Sequence, residues 1–469
     1  MTTVEGISEP ERRLPPQAEV IAGPPEPLLG VPVGVILAAG SGSRLGGLPK
    51  PLVRVAGVTL LERAVATFRG AGLERIVVVI GDGSASIREF VTERGLDVEL
   101  AENGDVELAE NGDFALGNGS SVLVGARAAA GRFLVAMVDH VVEPEAVTRL
   151  LRSCAPFALA VDTRPHYCDV EEATKVRLEG ARVVALAREL DDHDAVEAGL
   201  AVCDPAVAAC AERSLLAGEA TWNAVKRRWL AEGGEIEAVE LEGLHWIDVD
   251  TPADVRRAER LVVAGAARKA ADGPVARLLN RRLSWRLSLL LLRAGISPDA
   301  ATLLAFLLAL LAAGALAAGH EWWAALLAGG ILTQIASIVD CVDGEIARAS
   351  LRASPGGGFL DSVLDRIADA ALLAGLALAA GLDTATWAAL TAALFGSLLV
   401  PYVRASYEAS FGRPFPASAA RLAAGRDVRL LVVALAALAL QPLGGLVAVA
   451  ILANLEAAHR LVRARRLHT

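Results

Sequence analysis

Between Asp340 and Asp365 the chain reads D-C-V-D-G-E-I-A-R-A-S-L-R-A-S-P-G-G-G-F-L-D-S-V-L-D, four of whose carboxylates sit inside otherwise strongly apolar sequence. Asp340 and Asp343 are three apart and Asp361 and Asp365 four apart, so each pair falls on one face of a helix. A carboxylate at the centre of a membrane helix is disfavoured by roughly 2.5–3.5 kcal/mol on the mildest scales. Four together need something that offsets this cost. Divalent cations bridging two facing helices would neutralise the charge and could bind phosphates. The plainer alternative is a polar seam that merely joins two helices.

At 469 residues the chain has room for two or three domains. Its charge is unevenly divided: residues 1–265 hold 26 Lys and Arg against 42 Asp and Glu, whereas residues 266–469 hold 19 against 13. An acidic, soluble half is thus joined to a basic, apolar one whose cations sit in loops and flanks, as suits an anionic membrane surface. No basic stretch interleaved with aromatics suggests a nucleic-acid partner. Cys154, Cys168, Cys203, Cys210 and Cys341 form no C-x-x-C pair, and with seven scattered histidines they give no zinc spacing. Reduced thiols in a cytoplasmic domain are expected. Residues 1–32 are polar and Pro-rich, without the basic-then-apolar pattern of a signal peptide, and read as a flexible tail.

From Val33 onward, short apolar runs at 33–39, 75–80 and 133–138 alternate with helical stretches, which predicts buried parallel strands in an α/β open sheet over residues 33–265. The stretch Ala201 to His245 alternates more loosely and suggests an antiparallel addition. D-V-E-L-A-E-N-G occurs at 97–104 and again at 105–112, a duplication best read as a lengthened surface loop. Residues 266–298 form a linker and an amphipathic segment, with Arg277, Arg281, Arg282, Arg286 and Arg293 among leucines, suited to lying in a membrane interface. Six apolar segments follow in 299–469, near 299–318, 322–347, 358–380, 385–405, 427–441 and 443–462. Loops near 319–321, 381–384 and 441–443 lack Lys and Arg, while the alternate loops and the tail are rich in Arg. That bias predicts a multi-pass protein of the cell membrane, with the N-terminal domain, the C-terminus and the carboxylates' end in the cytoplasm.

Leu37 to Leu52 reads L-A-A-G-S-G-S-R-L-G-G-L-P-K-P-L at the end of an apolar run. Leu37, Ala38, Ala39, Gly40 and Gly42 make the candidate substrate-facing loop, where glycine lets phosphates approach the backbone. A dinucleotide fingerprint would need a third glycine where Leu45 stands, and a Walker loop would need Gly-Lys-Ser/Thr. Arg44 and Lys50 stand there instead, two cations suited to a triphosphate and a departing diphosphate.

The loop, with R-L-G and P-K-P-L after it, resembles the sugar-phosphate nucleotidyltransferase family over roughly residues 33–260. The resemblance implies a Rossmann-like domain with Asp139, in M-V-D-H, and Asp248, in W-I-D-V-D-T-P, as magnesium ligands, Asp250 competing for the second role. Gly117, Asn118, Gly119 and Ser120 form a turn suited to base or ribose, and Lys175 either faces the sugar phosphate or is an ordinary exposed strand lysine. The chemistry implied is attack of a sugar-phosphate oxygen on the α-phosphate of a nucleoside triphosphate, assisted by Mg²⁺ (or Mn²⁺), Arg44 and Lys50.

The spacing D-x2-D-G-x2-A-R-x8-G-x3-D-x3-D resembles the CDP-alcohol phosphotransferase family over roughly residues 275–469. It implies an all-α membrane domain of six transmembrane helices in which Asp340, Asp343, Asp361 and Asp365 hold a metal pair, Asp365 also serving as base for the acceptor hydroxyl. Gly344 and Gly357 would let nucleotide pass close to the backbone, and Arg348 would supply a cation near phosphate. Arg421, Arg426 and Arg429 read equally as ligands for an acceptor phosphate and as positive-inside charge. The fusion of the two halves resembles the family of bifunctional inositol-1-phosphate cytidylyltransferases and di-myo-inositol-phosphate-phosphate synthases. Its implied substrates are CTP, inositol 1-phosphate and a CDP-alcohol, with pairing of two copies through the membrane domain permitted. Residue spacing itself does not specify inositol. Activation of another alcohol phosphate, followed by transfer to a lipid, stays open at this point.

Overall fold

A computed structural model describes residues 32–39, 45, 47–81, 84–102, 117–268, 273–416 and 425–466. Most of the tandem repeat, together with Gly40, Gly42, Arg44 and Arg421, lies outside the described residues.

The acidic half is built on the three apolar runs. In chain order it contains β1 (Val33–Leu37), β2 (Arg54–Val55), β3 (Val58–Thr59), α1 (Leu60–Gly70), β4 (Ile76–Ile80), α2 (Ala85–Arg94), β5 (Glu99–Glu102), α3 (Asn118–Ala129) and β6 (Phe133–Met137). It continues with β7 (His140–Val142), α4 (Pro144–Leu151), β8 (Phe157–Asp162), β9 (Lys175–Glu179), β10 (Arg182–Ala187), β11 (Ala195–Cys203), α5 (Pro205–Leu216) and α6 (Trp222–Ala231), and ends with β12 (Glu237–Glu240), β13 (Trp246–Asp248) and α7 (Pro252–Ala267). Among the described residues the main sheet has nine strands in the order β5-β4-β1-β6-β11-β8-β12-β10-β9. The first four are mutually parallel, β1 pairing with β4 and with β6, which is the doubly wound core that apolar runs separated by helices predict. Antiparallel pairing enters with β11, which runs against both β6 and β8, but most of these strands precede the expected stretch 201–245, within which β12 runs parallel to β8 and antiparallel to β10. Apolar side chains of α1, α2, α4 and α7 cover one face and those of α3, α5 and α6 the other. Helix starts follow local chemistry: Thr59 with Glu62 and Thr251 with Asp254 form capping boxes at α1 and α7.

A short wide turn at Ala276–Asn280 leads into α8 (Arg281–Arg293) and then α9 (Pro298–Ala318), α10 (Trp323–Ala349), α11 (Pro355–Ala380), α12 (Thr384–Phe411), α13 (Arg426–Leu438) and α14 (Pro442–Arg466). Four of the described helices, α9, α10, α12 and α14, are long and apolar enough to cross a membrane. α11 has 26 residues but carries Asp361, Asp365, Arg366 and Asp369, and α13 has 13 residues. Small residues let the helices approach closely: a side chain at Gly375 would strike the Ala313 carbonyl, and one at Gly330 the Ala434 carbonyl. α8 turns its polar face inward. Ser284 and Ser288 donate to the fully buried Glu345 of α10 at 2.5 Å, and Arg281 donates to it at 2.7 Å. Leu278, Leu279, Leu283 and Leu290 are left exposed. The two halves meet where α7 packs on α8 and α10 through Val263, Leu289 and Ala349.

Candidate active sites

In the acidic, N-terminal half, the functional side chains come from loops at the ends of strands. Lys50 opens a 3₁₀ turn after the glycine loop. Asp139 stands between β6 and β7, and the antiparallel pairing of β13 with β7 sets Asp248 opposite His140. The Lys50 ammonium bonds Asp139 and, at 2.5 Å, Asp250. His140 Nδ1 lies 2.8 Å from the other Asp139 oxygen, and its ring stacks on Trp246 with centroids 5.8 Å apart. One oxygen of Asp248 is buried and has no hydrogen-bond partner. Asp139, His140 and Asp248 each offer a ligand atom within 4.8 Å of the others. Two acidic oxygens and an imidazole, with one buried oxygen unpartnered, fit a small divalent cation.

The electrostatics are those of a site that concentrates charge. Burial and the neighbouring Asp139 and Asp250 carboxylates push Asp248 up to about 6, with His140 opposing. Burial works against the His140 imidazolium, yet Asp248 and Asp139 outweigh it and raise that group to about 9. Asp139 is held well below the usual carboxylate range because His140 and Lys50 overcome its burial. Asp250, the rival for the metal role, is engaged by Lys50, whereas Asp248 faces the cluster.

Other residues singled out in the sequence take different places. Leu37 and Ala38 are buried at the end of β1, where Ala38 N donates to Val79 O at 2.8 Å, and Ala39 follows at the rim. Gly117 caps α3, Gly119 N donates to Ala220 O at 2.9 Å, Ser120 donates to Gly117 O, and Asn118 accepts from Trp222 N at 2.8 Å. This turn therefore packs the start of α3 against the segment leading into α6. The Lys175 ammonium is taken up by the carbonyls of Arg188, at 2.8 Å, and Glu171. Sequence reasoning missed His140 and also Gly199, which has φ +72° at a bulge in β11 and leaves room for the His140 ring where any side chain would collide. The adjoining H in M-V-D-H was the only signal for the first; the second had none.

In the membrane half, a cavity of about 790 Å³ is lined by Asp340, Asp343, Gly344 and Arg348 of α10, Gly357, Asp361 and Asp365 of α11, and Arg426 of α13. Oxygens of Asp340, Asp361 and Asp365 lie within 4.8 Å of one another, a donor set that fits a hard divalent cation. Asp343 lines the same cavity and accepts from Thr302 of α9 at 2.6 Å. The Arg426 guanidinium bridges Asp340 at 2.7 Å and Asp365 at 2.8 Å, and its Nε reaches Asp369 at 2.8 Å. Arg429 is buried 3.6 Å from Asp369. Asp369, not picked out from the sequence, continues the four-residue spacing of Asp361 and Asp365 and anchors both arginines. Arg404, Arg460 and Arg463 also line the cavity, although sequence reasoning counted them only as loop and tail charge.

Residues 34–228 match the MobA-like NTP transferase domain family and residues 296–458 the CDP-alcohol phosphatidyltransferase family. The chain is similar to a bifunctional IPC transferase and DIPP synthase of Rubrobacter xylanophilus, 50% identical over 436 residues, 92% of this chain and 96% of the other. It is likewise similar to proteins so described from Thermococcus kodakarensis, at 34% identity over 81% of this chain and 83% of that one, and Archaeoglobus fulgidus, at 35% over 81% and 72%. A nucleotidyltransferase site and a CDP-alcohol phosphotransferase site in one chain, with likeness along nearly its whole length, mean that this protein belongs to the family of bifunctional IPC transferases and DIPP synthases.

Proposed function

We propose that the chain carries out two successive reactions on inositol-derived substrates. In the first, a phosphate oxygen of inositol 1-phosphate attacks the α-phosphorus of CTP. The bond to the β-phosphate breaks as the new one forms, giving CDP-inositol and diphosphate. In the second, a hydroxyl of another inositol 1-phosphate attacks the phosphorus that bears inositol, and CMP leaves with the bonding electrons. The product is a phosphorylated di-inositol diester. The two-reaction part of this reading is carried by two separate clusters, each of converging carboxylates beside a cation, and the inositol substrates by the 50% identity to a bifunctional IPC transferase and DIPP synthase.

In the first site, Lys50 would bind and neutralise the triphosphate, a role that sequence position alone gives to Arg44 as well, and Asp139 and Asp248, with His140 once it has given up its proton, would hold a divalent cation. In the second, Asp340, Asp343, Asp361 and Asp365 would hold the metal pair, Gly344 and Gly357 would admit the nucleotide and Arg348 would face its phosphates. Asp365 would take the acceptor proton, and Arg426 neutralises Asp340, Asp365 and Asp369 in the structure, the charge that a divalent cation would neutralise when bound. Bound Mg²⁺, with Mn²⁺ as a substitute, supplies charge neutralisation and polarises the attacked phosphate in both sites. Arg404, Arg460 and Arg463, which line the cavity, give the acceptor phosphate its cations, whereas Arg429 is not among its lining residues.

We read α11 and α13 as the remaining two crossings of a six-helix membrane domain, α13 being about 20 Å long and packed on α10 and α14. The outward leucines of α8 then lie in the interface. The second cavity borders the N-terminal half, since Arg348 reaches the end of α7. The loop charges support a cytoplasmic placement of that side. Exposed Phe395, Leu398 and Tyr402 on α12 offer a surface to lipid or to a second copy.

Separability is the test. Lys50→Ala or Asp139→Asn should abolish formation of CDP-inositol and spare transfer from supplied CDP-inositol, and Asp365→Asn should do the reverse. Loss of both activities in a folded single variant counts against two independent sites.

A further inference from the structure

Arg63 of α1 belongs to the soluble half and is 8% exposed. Its guanidinium donates to the Val55 carbonyl from Nε at 3.1 Å and Nη2 at 2.6 Å, and Nη2 also donates at 2.7 Å to the carbonyl of Ala349, 286 residues later. Ala349 is the last residue of α10, the helix of Asp340, Asp343, Gly344 and Arg348. The carbonyls at a helix C-terminus have no partner within the helix and carry partial negative charge, so a buried cation there is a strong cap. The contact is answered from the other side: Arg348 Nε donates at 2.9 Å to the carbonyl of Ala266, in the last turn of α7. Val263 and Leu289 close over Ala349, which is 1% exposed. α7 itself begins just after Asp248 and Asp250, capped by Thr251, and is about 24 Å long at 1.5 Å per residue. One rigid helix thus starts beside the first site and ends on a cation that lines the second.

We propose that Arg63 is a positioning residue for the second reaction: by capping α10 it fixes that helix's last turn against α7 and so holds Arg348 on the wall of the CDP-alcohol cavity. The inference rests on the reading of Arg348 as a phosphate-facing cation. It makes the nucleotidyltransferase half a structural wall of the phosphotransferase site, beyond being its source of donor. Lysine is a poor replacement, because one ammonium does not reproduce a planar fork held between two carbonyls.

The test uses the full-length protein in detergent, with transfer measured from supplied CDP-inositol and the first reaction measured separately by diphosphate release from CTP. Arg63→Met should raise the KM for CDP-inositol about tenfold or more, with the first reaction within about twofold of the parent. Arg63→Lys should fall between, at about threefold. Arg293→Gln, which breaks the ion pair to Glu259 between α7 and α8 but keeps the Glu259 carboxylate that favours the Arg63 cation, should leave transfer unchanged. If loosening of the interface were the whole effect, Arg293→Gln and Arg63→Met would shift together, and that result overturns the proposal. If Arg63→Met does not accumulate as folded protein, a parental KM in Arg63→Lys overturns it. Arg348→Ala, run alongside, separates the two readings. A parental KM there overturns the role given to Arg348, whereas a raised KM there with a parental one in Arg63→Met overturns the positioning role.

Discussion

Replacing Arg426 by Met removes the cation that ties Asp340, Asp365 and Asp369 together, at 2.7, 2.8 and 2.8 Å, and leaves the carboxylates facing one another. Stripping one partner from a buried pair costs about 3–5 kcal/mol, mostly because a buried charge is left uncompensated. Asp340 is 30% exposed, which sets this case near the lower bound, about 3 kcal/mol. A divalent cation at about a hundred times its Kd returns roughly 2.7 kcal/mol. At about 2–4 °C per kcal/mol, the variant in EDTA should melt some 6–12 °C below the parent, and in saturating Mg²⁺ no more than about 3 °C below it. The assay is thermal unfolding of detergent-solubilised protein, followed by helical circular dichroism. An equal fall with and without Mg²⁺ would refute the claim that Arg426 and metal neutralise the same carboxylates.

Gly199→Ala should cost about 1–2 kcal/mol from its left-handed backbone alone and displace the His140 ring, lowering diphosphate release at least about tenfold while sparing transfer from supplied CDP-inositol; parental rates would remove His140 from the first site. Burial and the nearby Asp162 carboxylate push the Cys168 thiol up to about 11, so only about one thiolate in a thousand is present at pH 8. Its alkylation, followed by mass spectrometry, should quicken about tenfold per pH unit up to about pH 10, and rapid labelling at pH 7.5 would contradict the assigned burial.

How much of this was readable without coordinates depends on the range of the interaction. The parallel strands were legible because β1, β4 and β6 are buried on both faces and so are continuously apolar. Asp340 and Asp343, and Asp361 and Asp365, were legible because a helix brings residues three and four apart onto one face. What joins α10 to α11 and to α13 was not. Arg426 reads equally as a ligand for an acceptor phosphate and as loop-flanking charge until the fold sets it against Asp340, 86 positions earlier. His140 acquires its place from the pairing of β7 with β13, and Gly199 its reason from the ring that packs on it. Arg63 carries no sequence signal at all, since its partner is a backbone carbonyl in the other half. The inward-facing serines of α8 were hidden similarly, because the fully buried Glu345 that holds them lies on another helix.

One chain should activate inositol 1-phosphate and then pass it to a second, soluble copy of the same molecule. Purified detergent-solubilised protein should be given only CTP, Mg²⁺ and inositol 1-phosphate, and the products followed by phosphorus NMR and mass spectrometry. Diphosphate and CMP should appear in equal amounts at completion, with a phosphorylated di-inositol diester as the accumulating product. Accumulation of CDP-inositol, with CMP released only after a lipid carrying a free hydroxyl is added, would contradict the account.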